Sequence, residues 1–134
     1  MRPEKKGMSQ AAPAVVYLNI GGVFFATTAS TLNACDYFRV MLQHARPSRG
    51  EDGSEVITLF VDRDPLHFRY ILNSLRGSRC TPQDVASLHE LRVEADFYGL
   101  EQYVACVDAA LRNHPGRLED LLASISRNTY RLRQ

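Results

Sequence analysis

The residue types that could do chemistry in this chain are few and widely spaced. Its three cysteines are Cys35, Cys80 and Cys106, and no two of them are neighbours. Structural zinc sites use closely spaced cysteine and histidine ligands, so we predict no metal site from Cys80, Cys106 and His67. A cysteine nucleophile needs a nearby base and an orienting third group, and the sequence has no such signature. We interpret Cys106 as a small buried hydrophobe and expect His67 to lie on the surface.

Two further patterns that could serve catalysis or phosphate binding have structural explanations. Glu94 and Asp96 lie two residues apart on a predicted helix, so their carboxylates cannot face one another as an acid and base pair. Gly21-Gly22 is part of no GxxxxGK[ST] or GxGxxG pattern, and strand patterns flank it on both sides. We therefore interpret it as a hairpin turn. The sequence predicts no enzyme active site and no cofactor.

The elements that hold these residues begin with a β-hairpin. The segment VVYLNI alternates as a strand, and VFFATT after the two glycines alternates as its returning partner. Phe38, Met41 and Leu42 then repeat at i, i+3 and i+4. This spacing predicts a short helix after the hairpin.

The segment Val56–Arg76 joins a strand to a helix through a charged turn. Both faces of the strand are largely apolar, so both faces must be covered. One face carries Ile57, Leu59 and Val61, and the other carries Val56, Thr58 and Phe60. Asp64 is a good N-cap residue and Pro65 fits the first helical position. Gly77 is placed to end this helix.

Two longer helices are predicted after residue 80. The sequence Thr81-Pro82-Gln83-Asp84 resembles a capping box with proline at the first helical position. Gly99 is a candidate stop between the two helices. Their expected buried positions are Val85, Leu88, Leu91, Ala95 and Tyr98, followed by Leu100, Tyr103, Val104, Val107 and Leu111.

A last amphipathic pattern follows the second of these helices. Leu118, Leu121, Leu122 and Ile125 lie at i, i+3, i+4 and i+7. A helix of about ten residues is marginal alone, so this stripe either folds back or meets a partner. The whole element order predicts an α+β fold, with a small three-stranded sheet, a cluster of about five α-helices and a short C-terminal helix.

Length and composition fit one compact domain with accessory ends. The chain has 134 residues, of which 45% are apolar. We predict a disordered tail over residues 1–13, an ordered domain over 14–113 and an extension over 114–134. Residues 43–54 have no periodic apolar pattern and predict a mobile surface loop.

A net charge of +1 hides an acidic centre. The range Val15–Gly116 holds nine arginines against twelve acidic residues, a net charge of −3. Nucleic-acid binding calls for a concentrated basic face, so we predict no nucleic-acid partner. No run approaches the ~20 apolar residues that span a bilayer, and residues 1–10 lack the apolar stretch of a signal peptide. We expect no membrane insertion and a cytoplasmic location, with the nucleus also open.

Four motifs in this order resemble a known family. The segments LNIGG, FFATTASTL, VDRDPLHFRYILNSLR and LRVEADFYGL are similar to the BTB/POZ domain of the potassium-channel tetramerisation type. The resemblance covers Val15–Leu111 and is greater to the soluble KCTD proteins than to voltage-gated channel subunits. It implies the BTB/POZ fold and a ring of identical subunits, with a pentamer favoured over a tetramer.

The resemblance leaves two functions open. Many KCTD proteins bind a cullin and act as substrate adaptors for ubiquitin ligases, while others are scaffolds or regulators of channel and receptor complexes without cullin binding. Family membership does not decide between these functions. Both are non-enzymatic, and both need a homo-oligomer.

The matched motif positions give candidate subunit contacts. They are Phe25, Thr27, Asp62, Arg63, Asp64 and Arg76. A head-to-tail contact can place acids of one subunit against arginines of the next and so close a ring. The alternative is that Asp64 only caps the helix while Asp62 and Arg63 are solvated turn charges.

Two connections are candidate surfaces for partner proteins. Residues 43–54 and the turn over residues 77–84 match connections that lie near the docking face of cullin-binding relatives. The candidate contact residues are Arg46, Arg49, Glu51, Arg79 and Asp84. The alternative is that these are unconstrained surface loops.

Overall fold

The computed structural model describes residues 15–116, 122–123 and 125–126. The predicted tail over residues 1–13 lies outside the described residues, and so does most of the predicted C-terminal helix. Leu122 and Ile125 are helical, with 55% and 59% of their surface exposed. The chain divides into two compact units, Met1–Ser78 and Arg79–Gln134.

Over residues 15–78 the first unit contains a mixed sheet of four strands, where the sequence predicted three. The strands are β1 (Val15–Ile20), β2 (Val23–Thr28), β3 (Ser48–Arg49) and β4 (Glu55–Val61), in the spatial order β2-β1-β4-β3. The central strand β1 runs antiparallel to β2 and parallel to β4, and β3 runs antiparallel to β4. The extra strand lies in the predicted loop over residues 43–54. Strand β3 has only two residues, both exposed and neither apolar, so it has no alternating pattern from which a strand could be predicted.

In the described part of the first unit, residues 15–78, three helices accompany the sheet. They are α1 (Ala29–Leu32), α2 (Asp36–His44) and α3 (Phe68–Leu75). Thr28 ends β2 and caps α1, because its hydroxyl accepts a hydrogen bond from the Thr31 N–H at 3.2 Å. The sheet and the helices therefore follow one another with little connecting chain.

The start of α3 differs from the prediction. The sequence placed Pro65 at the first helical position, but the helix begins at Phe68. A separate turn precedes it, in which the Phe68 N–H donates to the Pro65 carbonyl at 3.0 Å. His67 is the N-cap residue of the helix and is only 8% exposed, so the expectation of a surface histidine is wrong.

The core of the first unit lies on one face of the sheet. Val16, Leu18 and Ile20 of β1 are completely buried on this face. Phe68 of α3 packs against Phe25 of β2, with ring centroids 4.9 Å apart. These contacts bury one face of the sheet beneath helical side chains.

Within residues 79–116 the second unit contains a pair of helices, α4 (Val85–Phe97) and α5 (Glu101–Arg112). Asp84 is the N-cap of α4 and accepts from the Ser87 N–H at 2.9 Å, so Pro82 precedes the helix instead of starting it as predicted. Gly99 ends the helix as predicted, with φ +73°, and the Leu100 N–H closes the turn on the Ala95 carbonyl.

Polar contacts fix the second unit internally. Arg92 on α4 and Asp108 on α5 form an ion pair at 2.6 Å. This carboxylate raises the pKa of the Arg92 guanidinium. The Tyr103 hydroxyl donates to the Cys80 carbonyl at 2.6 Å. The connection before α4 is therefore held against α5.

Candidate oligomerisation surface

The charged turn after β4 is the centre of the predicted subunit contact. Asp62 and Asp64 are exposed, and Arg63 is half-buried. An Asp64 carboxylate oxygen accepts from the Leu66 N–H at 2.9 Å, so this residue stabilises the turn and does not cap α3 directly. The Arg63 N–H donates back to the Val61 carbonyl at 2.9 Å. The turn is thus ordered by its own backbone and by one carboxylate.

The glycine hairpin packs on this charged turn. The Gly21 N–H donates to the Val61 carbonyl at 2.9 Å. A Cβ added at Gly21 would lie 2.4 Å from the Arg63 carbonyl oxygen, and the residue has φ +56°. Only glycine fits such a position. Gly22 has φ +103° but no neighbour within 4 Å of an added Cβ.

Arg63 is turned partly toward its own chain. Burial raises the pKa of the Tyr37 hydroxyl on α2, and the positive charge of Arg63 acts in the opposite direction. The Arg63 guanidinium is therefore near enough to Tyr37 for its positive charge to favour the ionised form of the hydroxyl. This leaves Asp62 and Asp64 as the more accessible charges of the turn.

Arg76 bonds within its own subunit. It follows α3, and its guanidinium donates to the Ala26 carbonyl on β2 and to the Asn73 side chain, each at 3.1 Å. Strand β2 lies at the edge of the sheet, where unpaired backbone groups invite pairing with other chains. Arg76 occupies one of these groups, which is a framework role.

Phe25 and Thr27 face the core in this structure. Both lie on the same side of β2 as the buried face of β1, opposite Leu18 and Val16 in the register. Phe25 packs on Phe68, and Thr27 is only 6% exposed. Among the described residues the Thr27 hydroxyl oxygen has no hydrogen-bond partner. The two side chains contribute to the core of their own subunit, and their role as subunit contacts stays a prediction.

The first candidate partner connection is an ordered hairpin. Arg46 and Glu51 are exposed on it, and the Arg49 guanidinium donates to the Gly53 carbonyl at 2.9 Å. Hydrogen bonds from the Ser54 hydroxyl and N–H lower the pKa of the Asp52 carboxyl. Residues 43–54 are therefore more regular than the predicted mobile loop.

The second candidate connection belongs to the other unit. Arg79 is exposed, while Asp84 uses its carboxylate to cap α4. The structure thus places Arg46, Arg49 and Glu51 together on one hairpin and gives Asp84 a structural role. Whether any of the five residues contacts a partner remains a prediction.

The open face of the sheet carries apolar side chains that were not among the predicted site residues. Phe24 of β2 is 62% exposed and Phe60 of β4 is 58% exposed. The signal was present in the alternation, since apolar residues occupy both faces of these strands. Apolar residues on both faces predict that both faces of the sheet are covered, but the described residues leave this face exposed.

Chemistry-bearing residues remain scattered in the structure. Within residues 15–116 and the four described residues beyond them, no group of three histidine, cysteine or acidic side chains is placed to hold a metal ion. Cys35 is buried, and this burial raises the pKa of its thiol. Cys80 is exposed and Cys106 is half-buried. No helix among the described residues is long and apolar enough to cross a bilayer.

Comparison with known proteins agrees with this architecture. The family model of the BTB/POZ domain matches residues 16–107. The mouse BTB/POZ domain-containing protein KCTD5 is 33% identical over 108 residues, which is 79% of this chain and 46% of that protein. Rat SH3KBP1-binding protein 1 is 41% identical over 98 residues, which is 72% of this chain and 14% of that protein.

A third relative shows the same partial coverage. Human BTB/POZ domain-containing protein KCTD3 is 41% identical over 91 residues, 67% of this chain and 11% of that protein. The chain therefore spans less than half the length of these curated relatives.

Proposed function

Because the chain belongs to the BTB/POZ family, we propose that it assembles with copies of itself into a ring and presents partner proteins on that ring. Domains of this type are non-catalytic interaction modules and typically self-associate. The observation that carries the proposal is the family match over residues 16–107, which begins in β1 and ends within α5. A five-membered ring is favoured over a four-membered one.

The first form of this function is a substrate adaptor for a cullin-RING ubiquitin ligase, acting in the cytoplasm or nucleus. Its support is the similarity to KCTD5 over 79% of the chain, together with the exposed hairpin that carries Arg46 and Glu51. Charged groups around an interface steer association and select partners. The cullin would bind the ring from outside and leave the subunit contacts intact.

The second form is a scaffold or regulator of channel or receptor complexes that does not bind a cullin. It is favoured by the 41% identity to SH3KBP1-binding protein 1, whose name describes binding to another protein. Both forms share the ring. They differ only in what the ring presents.

Subunit number is the first test. Native mass spectrometry at tens of micromolar protein should give five times the chain mass of 15.1 kDa. A tetramer would correct the ring size and keep the function. A monomer throughout this range would overturn the proposal in both forms.

The charged turn can be tested without disturbing its backbone. Asn at position 64 keeps an oxygen for the Leu66 N–H but removes the charge, so the double variant Asp62→Asn, Asp64→Asn isolates the electrostatic contribution. We expect weaker assembly at an unchanged melting temperature. Asp36→Asn is the control, because Asp36 is an exposed acid paired with Arg39 of its own helix. Equal assembly of both variants would leave the turn with a structural role alone.

Cullin binding separates the two forms. Titration with the N-terminal domain of a cullin should show binding below tens of micromolar, and Arg46→Glu should weaken it about tenfold. Arg112→Glu on α5 is the charge-matched control, since it is also an exposed arginine. Absence of binding by the assembled wild-type ring would exclude the adaptor and leave the scaffold.

A further inference from the structure

Lysine is rare in this chain, although it is among the commonest residues of globular domains. Of the sixteen lysine and arginine residues, fourteen are arginines and two are lysines. The two lysines are Lys5 and Lys6, which we call the lysine pair, and they precede β1. All nine lysine or arginine positions of the range Val15–Gly116 are arginines. The side chains of this range therefore carry no primary amine.

The fold uses the forked shape of arginine at Arg76 and Arg92. Arg92 contacts both carboxylate oxygens of Asp108, at 2.6 and 3.3 Å. Arg76 donates from its two terminal nitrogens to two different acceptors. A lysine ammonium is a point charge and cannot reproduce these contacts. Lysine would supply the same charge at other, exposed positions, which include Arg46, Arg79 and Arg112. At those positions the fold does not require arginine.

Arginine and lysine differ as acyl acceptors. A lysine Nζ attacks a carbonyl carbon in its neutral form, whereas a guanidinium stays protonated and delocalised. In ubiquitin transfer this amine attacks the thioester that joins the C-terminus of ubiquitin to a cysteine of the conjugating enzyme. The C–S bond breaks, an amide bond forms, and the released thiolate takes up the proton that the amine loses. Within these 134 residues the lysine pair holds the side-chain amines that can accept ubiquitin in this way.

We propose that ubiquitin transfer to this chain is confined to Lys5 and Lys6 when the ring is bound to a cullin-RING ligase. The inference rests on the adaptor form of the proposed function and adds the regulation of that adaptor. An adaptor is held beside the conjugating enzyme each time a substrate is modified. A surface whose basic residues are arginines remains unmodified there, and the lysine pair is the position at which the adaptor itself receives ubiquitin.

The lysine pair is close to the domain along the chain. Val15, the first residue of β1, is 44% exposed, so the preceding residues attach at the surface of the domain. Lys6 precedes Val15 by nine residues, which span at most about 30 Å when fully extended. This length is about the diameter of a small domain. A conjugating enzyme held at the ring is therefore offered the lysine pair within that distance of β1.

The test reconstitutes transfer with the full chain, a cullin-RING ligase, the activating and conjugating enzymes, ubiquitin and ATP. Mass spectrometry of the digested chain locates each attached ubiquitin, and ubiquitin on the cullin shows that the ligase is active. Lys5→Arg with Lys6→Arg keeps both charges and removes both amines. We expect ubiquitin on the chain to fall more than about tenfold, because guanidinium groups do not accept it. The native mass and the cullin titration should be those of the wild type.

Two further variants return one amine to the lysine-free chain. Arg69→Lys and Arg112→Lys, each combined with Lys5→Arg and Lys6→Arg, place a lysine at an exposed position of α3 or α5. We expect ubiquitin at the new lysine of at least one variant, because the missing amine is what protects the domain. Absence of ubiquitin from both new lysines would overturn this explanation of the arginine surface.

The outcomes distinguish this inference from the proposed function. A ring that binds no cullin would overturn the adaptor form, and this inference with it. Cullin binding with ubiquitin on the cullin, but with none on Lys5 or Lys6, would overturn the inference alone. So would wild-type amounts of ubiquitin on a hydroxyl, a thiol or the α-amino group of the double variant.

Discussion

The two faces of the sheet contain similar residues and have opposite environments. Val16, Leu18 and Ile20 of β1 are completely buried, whereas their neighbours Val15 and Tyr17 on the same strand are 44% and 38% exposed. Hydrophobicity alone would bury all five. The difference teaches that the described residues bury one apolar face of the sheet and leave the other exposed, so hydrophobicity alone does not determine which face becomes the core.

The largest expected effect tests whether the buried face carries the stability of the subunit. Leu18→Ala should lower the free energy of unfolding by about 2–5 kcal/mol, because it leaves a cavity at a completely buried position. Tyr17→Ala should cost under about 1 kcal/mol in the dissociated subunit, where the ring is already partly in water. Urea denaturation in dilute solution measures both. Equal losses would remove the contrast between the faces.

The two glycines of the hairpin turn show the same contrast between a packed and an open position. Gly21→Ala forces a Cβ against the Arg63 carbonyl in addition to the strain at positive φ, so we expect a loss of roughly 2–3 kcal/mol. Gly22→Ala has the strain without the contact and should cost about 1 kcal/mol. Thermal melts of the two variants measure the difference between their losses of stability. A larger loss at Gly22 would show that the hairpin does not rest on the charged turn.

The smallest effect lies in the exposed hairpin over residues 43–54. The lowered pKa of Asp52 means that its charged form is favoured in the folded protein, so its contribution is present above the ordinary pKa of 3.8 and lost as the pH falls through the folded-state pKa. Ser54→Ala should raise this pKa toward the ordinary value of 3.8, because the Ser54 hydroxyl is the main cause of the shift. Carboxyl-carbon NMR titration measures it. The Ser48→Ala variant should keep the wild-type midpoint, and an unmoved midpoint in Ser54→Ala would contradict the assignment.

Local patterns predicted the elements that local physics determines. The strands Val15–Ile20 and Val23–Thr28 have the bounds expected from alternation around Gly21-Gly22, and the α+β class follows from the order of elements. Gly99 ends α4 because its positive φ closes the last turn of that helix. The family resemblance is confirmed by the match over residues 16–107.

Contacts between distant residues could not be predicted in the same way. The close approach of Gly21 to the Arg63 carbonyl and the bond from Arg76 to the Ala26 carbonyl join positions far apart in sequence. The pattern of β2 places Phe25 and Phe24 on opposite faces, but only the packing on Phe68 decides which face is the core. The two-residue strand β3 depends on pairing with β4 and has no signal of its own.

The parallel pairing of β1 with β4 determines the order in which the sheet can form. The hairpin of β1 and β2 is local and can close within microseconds, but β4 is separated from it by two helices and β3. At roughly 5–20 residues per second, the ribosome delivers β4 some seconds after the hairpin has emerged. Throughout that interval β1 lacks its second neighbour and the hairpin is apolar on both faces. The nascent chain is therefore at its greatest risk of mispairing during this interval, before β4 completes the sheet.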